Sequence, residues 1–245
     1  MSSLRRVCEA AESCLGLVKC PDIDLKGSGF MVGPDGHFIT CHHVVSEVSL
    51  QSGYLVDTYS SDIRVRVGGR WWKGELVGDP TDFRPRIFDY AILKLKGVTN
   101  APFLTPGGPE SVRRGDRVVC LGFPLDFDMT VATEGIVSAV VERRSHFDSF
   151  YAMRTILTDA VVQFGGSGGP MLDIASGNVL GVVALHHELQ DRWRKQISDW
   201  AQAGGGQPAI LGDLVNFVLK YIDTGLNHAV SIQYARGDPE WPKET

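Results

Sequence analysis

Residues Thr158–Pro170 read TDAVVQFGGSGGP. Within them Ser167 lies between two glycine pairs, Gly165–Gly166 and Gly168–Gly169, and Pro170 closes the run. A serine that attacks a carbonyl needs its Oγ presented on a tight turn. It also needs backbone N–H groups aimed at the oxyanion that forms. Flanking glycines permit the unusual backbone angles of such a turn and let a substrate backbone come close. A run of this kind could also be a plain loop or an anion-binding nest. A nest is ordinarily followed by a helix with a lysine nearby, whereas Pro170 and a strand-like run follow here.

Outward from this turn the chain is mostly short apolar runs punctuated by Gly, Pro and Asp. They are Leu15–Lys19, Gly29–Val32, His37–Thr40, Ile63–Val67, Trp71–Val77, Tyr90–Leu95, Arg117–Leu121, Gly135–Val141, Thr155–Leu157 and Val179–Leu185. Many short strands at regular spacing predict an all-β barrel or sandwich. Gly33-Pro34-Asp35-Gly36 is a hairpin signal. The Pro- and Gly-rich stretch Val98–Glu110 reads as a linker between two lobes, 1–105 and 106–245. A helix is expected over residues 3–13, with Leu4, Val7 and Ala11 on one face. Two further helical stripes fall in a segment at about 187–227, Leu189, Trp193, Ile197 and Trp200 and then Leu211 to Ile222. A last strand, Ala229–Tyr234, precedes a terminus read as a solvated tail.

The 245 residues suffice for one large all-β domain or two small lobes sharing a cleft. A net charge of −5 argues against a nucleic-acid partner, which calls for a basic surface. No stretch approaches the roughly 18 apolar residues of a membrane span, so no membrane partner is expected. Glu9 and Glu12 interrupt any apolar leader, so no secretory signal is read. Five cysteines, Cys8, Cys14, Cys20, Cys41 and Cys120, are an odd number without framework spacing. Reduced thiols and a cytoplasmic location are the expectation. The first three are six residues apart, not the short steps of a zinc knuckle, so neither metal nor cofactor is expected.

A nucleophilic serine needs a base, and Thr40-Cys41-His42-His43 offers two imidazoles at the end of a strand. The residues leave the choice between them open, because strand neighbours point to opposite faces. The base in turn needs an orienting carboxylate. Asp89, flanked by Phe88, Tyr90 and Ala91, is expected to be buried and therefore partnered. Asp57, Asp62, Asp79 and Asp82 stand in loop-like contexts and read as solvated.

The order of these pieces resembles the HtrA/Deg-type branch of the trypsin-like serine peptidases. GSGFMV (27–32), GHFITCHHVV (36–45), ELVGDP (75–80), DYAILKL (89–95), GDRVVCLGFP (115–124), TEGIVSA (133–139), TDAVVQFGGSGGP (158–170) and VLGVV (179–183) follow in that family's sequence. The resemblance covers roughly residues 3 to 185. It implies a chymotrypsin-like double barrel, two antiparallel six-stranded β-barrels. It selects His43, the histidine directly before Val-Val, over His42. It likewise selects Asp89, and with Ser167 these would form a catalytic triad. The oxyanion hole would be the turn Gly165, Gly166 and Ser167, with the amides of Gly165 and Ser167 as donors. Val161, six residues before Ser167, would lie at the base of the S1 pocket, with Val162, Ala184, Leu185 and His186 beside it. None of these is acidic, so cleavage after Lys or Arg is not expected. A small or medium apolar P1 residue is, with an acidic P1 facing His186 or His187 as the alternative.

The chain departs from the family in three ways. Only about 60 residues remain after Leu185, so no PDZ-like domain is expected to follow. Gly166 replaces the usual Asn or Asp. The segment at about 187–227 stands where a loop bordering S1 is expected, and a lid or a docking surface for a protein regulator is one reading of it. The function implied is a serine endopeptidase acting on protein or peptide substrates through an acyl-enzyme, either constitutively or only after activation. Two alternatives remain: another acyl hydrolase with the same triad, and a catalytically silent scaffold that binds a protein through its cleft. The chain order His, Asp, Ser weighs against the first of these.

Overall fold

The computed structural model describes residues 3–51, 54–79, 82–108, 112–125, 127–144, 151–184 and 227–243. Leu185, His186 and all but the last residue of the 187–227 segment lie outside the described residues. The first half runs α1 (Ser3–Glu12), β1 (Leu15–Cys20), β2 (Leu25–Met31), β3 (His37–Thr40), α2 (His42–Val45), β4 (Ser46–Gln51), β5 (Tyr54–Tyr59), β6 (Arg64–Val67), β7 (Arg70–Leu76), α3 (Arg84–Ile87) and β8 (Ala91–Leu95). The second half runs β9 (Arg117–Gly122), β10 (Val131–Arg144), β11 (Ala152–Thr158), β12 (Pro170–Asp173), β13 (Val179–Val183), β14 (Asn227–Ser231) and α4 (Gln233–Arg236).

Six strands of each half close into a barrel, in the orders β1-β2-β3-β8-β7-β6 and β10-β11-β14-β13-β12-β9. Every pairing is antiparallel, so the fold is the expected all-β double barrel. Closure leaves neither barrel with an open edge. The β4–β5 hairpin stands apart as a two-stranded sheet, and no strand was expected there.

The Phe38 ring fills space left open by two glycines opposite it. A Cβ on Gly16 would lie 2.7 Å from that ring, and one on Gly29 only 2.2 Å. The core around Phe30, Phe38, Leu17 and Leu93 runs on into Val119, Leu121, Leu172 and Val182 of the second barrel. A second cluster, including Val118, Val137, Ile156 and Met171, fills that barrel. The cleft between the barrels therefore has a continuous apolar floor, and close packing of this kind fixes side-chain positions. The linker touches both halves: Leu104 N–H bonds Met31 O at 2.9 Å and Gly107 N–H bonds Val179 O at 2.7 Å.

The C-terminus is not a solvated tail. The last strand ends at Ser231, four-residue α4 follows, and the chain then packs back on the first barrel. Pro242 lies against Gly33, Trp241 joins the edge of the core, and the Tyr90 hydroxyl donates to Asp238 at 2.7 Å. Its polar composition hid the half-buried Trp241, which anchors it together with Tyr234, a residue expected in the last strand.

Candidate active site

His43 does not sit on a strand. β3 ends at Thr40, and residues His42–Val45 turn as α2. The turn still separates the two imidazoles, with His42 fully buried and the His43 side chain 32% exposed. His42 is held by Ser46 Oγ at 3.0 Å and lies 3.6 Å from Asp57, which pairs with Arg86 at 3.2 Å. Burial lowers the His42 pKa, with partial opposition from Asp89 and Asp57. Asp57 is therefore not the solvated acid its sequence context suggested. Asp82 is not either, since it chelates Arg84 through several hydrogen bonds.

Asp89 is 1% exposed and follows α3 with φ +49°. Its carboxylate accepts the His43 backbone N–H at 3.1 Å. It also bonds the His43 Nδ1 at 2.8 Å through Oδ2 and at 3.0 Å through Oδ1. A carboxylate only accepts, so these contacts assign the ring proton to Nδ1. The Nε2 lone pair is then the one that can receive a proton.

Ser167 is 5% exposed, on a turn locked by its own backbone. Gly166 N–H donates to Gln163 O at 2.8 Å, Gly169 N–H to Gly166 O at 3.1 Å and Gly168 N–H to Val183 O at 2.8 Å. The Gly166 amide is thus spent inside the turn, although that residue was counted in the expected oxyanion hole. Gly168 has φ +90°, and a Cβ there would stand 2.0 Å from Ser28 O. Gly27 keeps the barrels close in the same way. A Cβ on it would meet Val44, the neighbour of His43, at 2.6 Å and the Ser167 carbonyl at 3.1 Å.

The residue that sequence reasoning passed over is Ser28. Its N–H donates to Ser167 O at 2.8 Å, and its carbonyl accepts the Thr40 hydroxyl at 2.7 Å. Its own hydroxyl donates to Gly165 O at 2.5 Å and accepts the Phe123 N–H at 2.8 Å. Leu125 N–H donates to Phe164 O, one peptide earlier. In a trans peptide the N–H points opposite to the C=O, so this bond turns the Gly165 N–H away from Leu125. A lone serine in GSGF carries no signal for such a role.

A cavity of about 30 Å³ opens beside the turn, lined by Val161, Val162, Cys120, Thr133, Gly166 and Val183 among others. Val161 and Val162 are thus brought to one pocket. Ala184 is buried beside it in sequence but does not line the cavity. The remaining expected pocket residues, Leu185 and His186, lie outside the described residues.

Cys41, a His43 ring nitrogen and an Asp89 oxygen bring three metal-type donors within 4.8 Å of one another. Burial and the Asp89 charge push the Cys41 thiol well up, and it donates to Val183 O at 3.3 Å. A thiol held as S–H is a poor ligand, since the thiolate is what binds metal.

The sequence matches the family model for the trypsin-like peptidase domain over residues 27–182. The chain belongs to that family. Among curated relatives, this trypsin-like peptidase domain is 33% identical over 159 residues to a DegP-like periplasmic serine endoprotease of Chlamydia pneumoniae. It is 36% identical over 157 residues to one of Pseudomonas fluorescens, and 32% identical over 166 residues to the Homo sapiens serine protease HTRA4. These matches take in 64% to 65% of the chain and only 28% to 30% of the relatives. Among solved structures, the HtrA-type protease AlgW with tripeptide aligns over 96% of this chain and 62% of its own, at TM-score 0.66 and 22% identity. An active-form protease from M. tuberculosis aligns over 98% and 85%, at TM-score 0.65 and 21% identity. The two structures speak for the fold alone.

The expected cytoplasmic location does not stand, because the chlamydial and pseudomonad relatives are named periplasmic. The weak step was the cysteine count. All five thiols are free, and four of them are buried. A thiol shut away from solvent persists in either compartment, so it reports packing rather than redox environment.

Proposed function

We propose that this peptidase domain is a serine endopeptidase whose nucleophile is Ser167, whose base is His43 and whose orienting carboxylate is Asp89. The observation that carries the reading is the His43–Asp89 pair at 2.8 Å, next to a Ser167 turn that Ser28 ties to the same barrel. Two lobes, 1–105 and 106–245, contribute the two halves of the site.

In this mechanism His43 Nε2 takes the Ser167 proton as Oγ attacks the scissile carbonyl. Asp89 holds the ring and stabilises the imidazolium. The oxyanion is received by the amides of Gly165 and Ser167. The imidazolium then protonates the leaving amine, and water attacks the acyl-enzyme with His43 again as base.

The substrate is an extended protein or peptide segment with a small or medium apolar P1 residue. The shallow cavity of about 30 Å³ supports this, since none of the described residues that line it carries a charge that could meet Lys or Arg. An acidic P1 would depend on His186, and a protein regulator on the 187–227 segment. Deleting residues 188–224 and measuring peptide turnover addresses both.

Digestion of unfolded β-casein by the wild type and by Ser167→Ala tests the proposal. Fragments in the wild type alone, with Ala or Val at their new C-termini, are expected. Equal digestion by both variants would overturn it, and a folded wild type inert to casein and to serine-directed probes would favour a binding scaffold.

A further inference from the structure

The residues on either side of Asp89 touch the chain that follows the second barrel's last strand. Asp89 has φ +49°, a backbone region uncommon for a residue with a side chain, though Asp enters it more readily than most. Local bonds help to hold it there, since Phe88 N–H bonds Arg84 O at 2.9 Å and Tyr90 N–H bonds Pro85 O at 3.0 Å. Both side chains flanking Asp89 are then gripped from elsewhere. The Phe88 ring stacks on Tyr234 at 4.1 Å and 10°. The Tyr90 hydroxyl, on a residue only 3% exposed, donates to Asp238 Oδ2 at 2.7 Å.

The gripping residues are themselves fixed. The Tyr234 hydroxyl accepts the Arg154 N–H of β11 at 2.7 Å. Asp238 N–H bonds Ala235 O at 3.0 Å, and Asp238 Oδ1 accepts the Glu240 N–H at 2.9 Å. Two side chains hold the residues on either side of Asp89, and that position aims a carboxylate at His43 Nδ1.

We propose that Tyr234 and Asp238 form a clamp that positions Asp89, so that the chain after β14 sets the geometry of the His43–Asp89 pair. The proposal rests on the triad reading above. It makes both residues positioning residues, since neither touches the reacting atoms. Holding a catalytic group to a fraction of an ångström is worth this machinery, because small misplacements cost turnover steeply.

The contact can be broken without opening the core. Tyr90 and Asp238 share the wall of a cavity of about 100 Å³ with Asp82 and Arg84, so water can reach groups left unpaired. The test uses Tyr90→Phe, Asp238→Ala, Tyr234→Leu and Asp238→Asn in the full chain. Two readouts are compared, peptide kinetics and the far-downfield proton resonance of the His43 Nδ1–H···Asp89 hydrogen bond. The first three variants should lower kcat roughly 10- to 100-fold, with KM changed less than about twofold. Each should shift or broaden that resonance. Tyr90→Phe combined with Asp238→Ala should be no worse than Asp238→Ala alone, because both remove the Tyr90–Asp238 bond. Asp238→Asn keeps an acceptor oxygen and should recover most of the activity.

Unchanged kcat and an unchanged resonance in folded Asp238→Ala would overturn the clamp. So would a fall in kcat with the resonance intact, which is what loss of stability alone produces. Peptide cleavage that persists in Ser167→Ala would instead sink the triad reading, and the resonance would still report on the clamp.

Discussion

The Ser28 hydroxyl donates to the Gly165 carbonyl at 2.5 Å while accepting the Phe123 amide at 2.8 Å. One buried side chain of the first barrel thus holds the Gly165–Gly166 peptide, which lies between the two peptides proposed to offer their N–H groups to the oxyanion. Ser28→Ala should lower kcat about 10- to 100-fold with little change in KM, less than the roughly 100- to 1,000-fold cost of losing an oxyanion donor outright. It also strands the Phe123 N–H, so urea unfolding should show a loss of about 1–3 kcal/mol. Wild-type kcat in Ser28→Ala would assign the hydroxyl to stability alone.

Asp89→Asn separates geometry from charge. The asparagine Oδ1 can still accept the His43 backbone N–H, now made at 3.1 Å, so the melting temperature should change little. Its amide group would donate to the ring and force the wrong tautomer, and kcat should fall about 10⁴-fold. Steady-state kinetics beside a thermal melt read both effects.

Gly168→Ala should be among the more damaging single changes. It places a Cβ 2.0 Å from Ser28 O and 2.5 Å from Thr40 Oγ1, at φ +90°. Gly69→Ala is the control, with φ +75° and nothing within 4 Å. The control should lose only the backbone strain of about 1–2 kcal/mol. Equal urea midpoints for the two variants would contradict the packing described between the barrels.

The buried thiols should be inert. Burial pushes Cys20 up to about 11 and Cys120 up to about 12, and Cys41 is raised further by Asp89 after its own burial. Only Cys8 is part-exposed. Brief iodoacetamide treatment of the native protein at pH 8, mapped by mass spectrometry, should modify Cys8 first and leave Cys41 and Cys120 intact, because the thiolate is the reactive form. Early loss of Cys120 would mean that the pocket opens more than its packing suggests.

Much of the fold was legible because buried strands leave apolar runs between turn residues, and ten such runs fall on barrel strands. The β4–β5 hairpin escaped because Glu47, Ser49, Gln51, Asp57 and Thr58 break its apolar residues into pieces too short to stand out as a run. The two histidines could not be ranked by strand alternation, since the chain turns helical at His42. Motif order ranked them, and the Asp89 carboxylate lies on His43. Ser28 and the Tyr90–Asp238 contact were invisible for a different reason. Each joins residues more than 90 positions apart, and periodicity within a window carries no signal for such pairs.

The most direct measurement is labelling by a fluorophosphonate, mapped to the modified residue in the wild type and in His43→Ala. Labelling of Ser167 in the wild type, and its loss in folded His43→Ala, is the predicted result. A folded wild type that stays unlabelled, a label on another serine, or equal labelling of Ser167 without His43 would contradict the account.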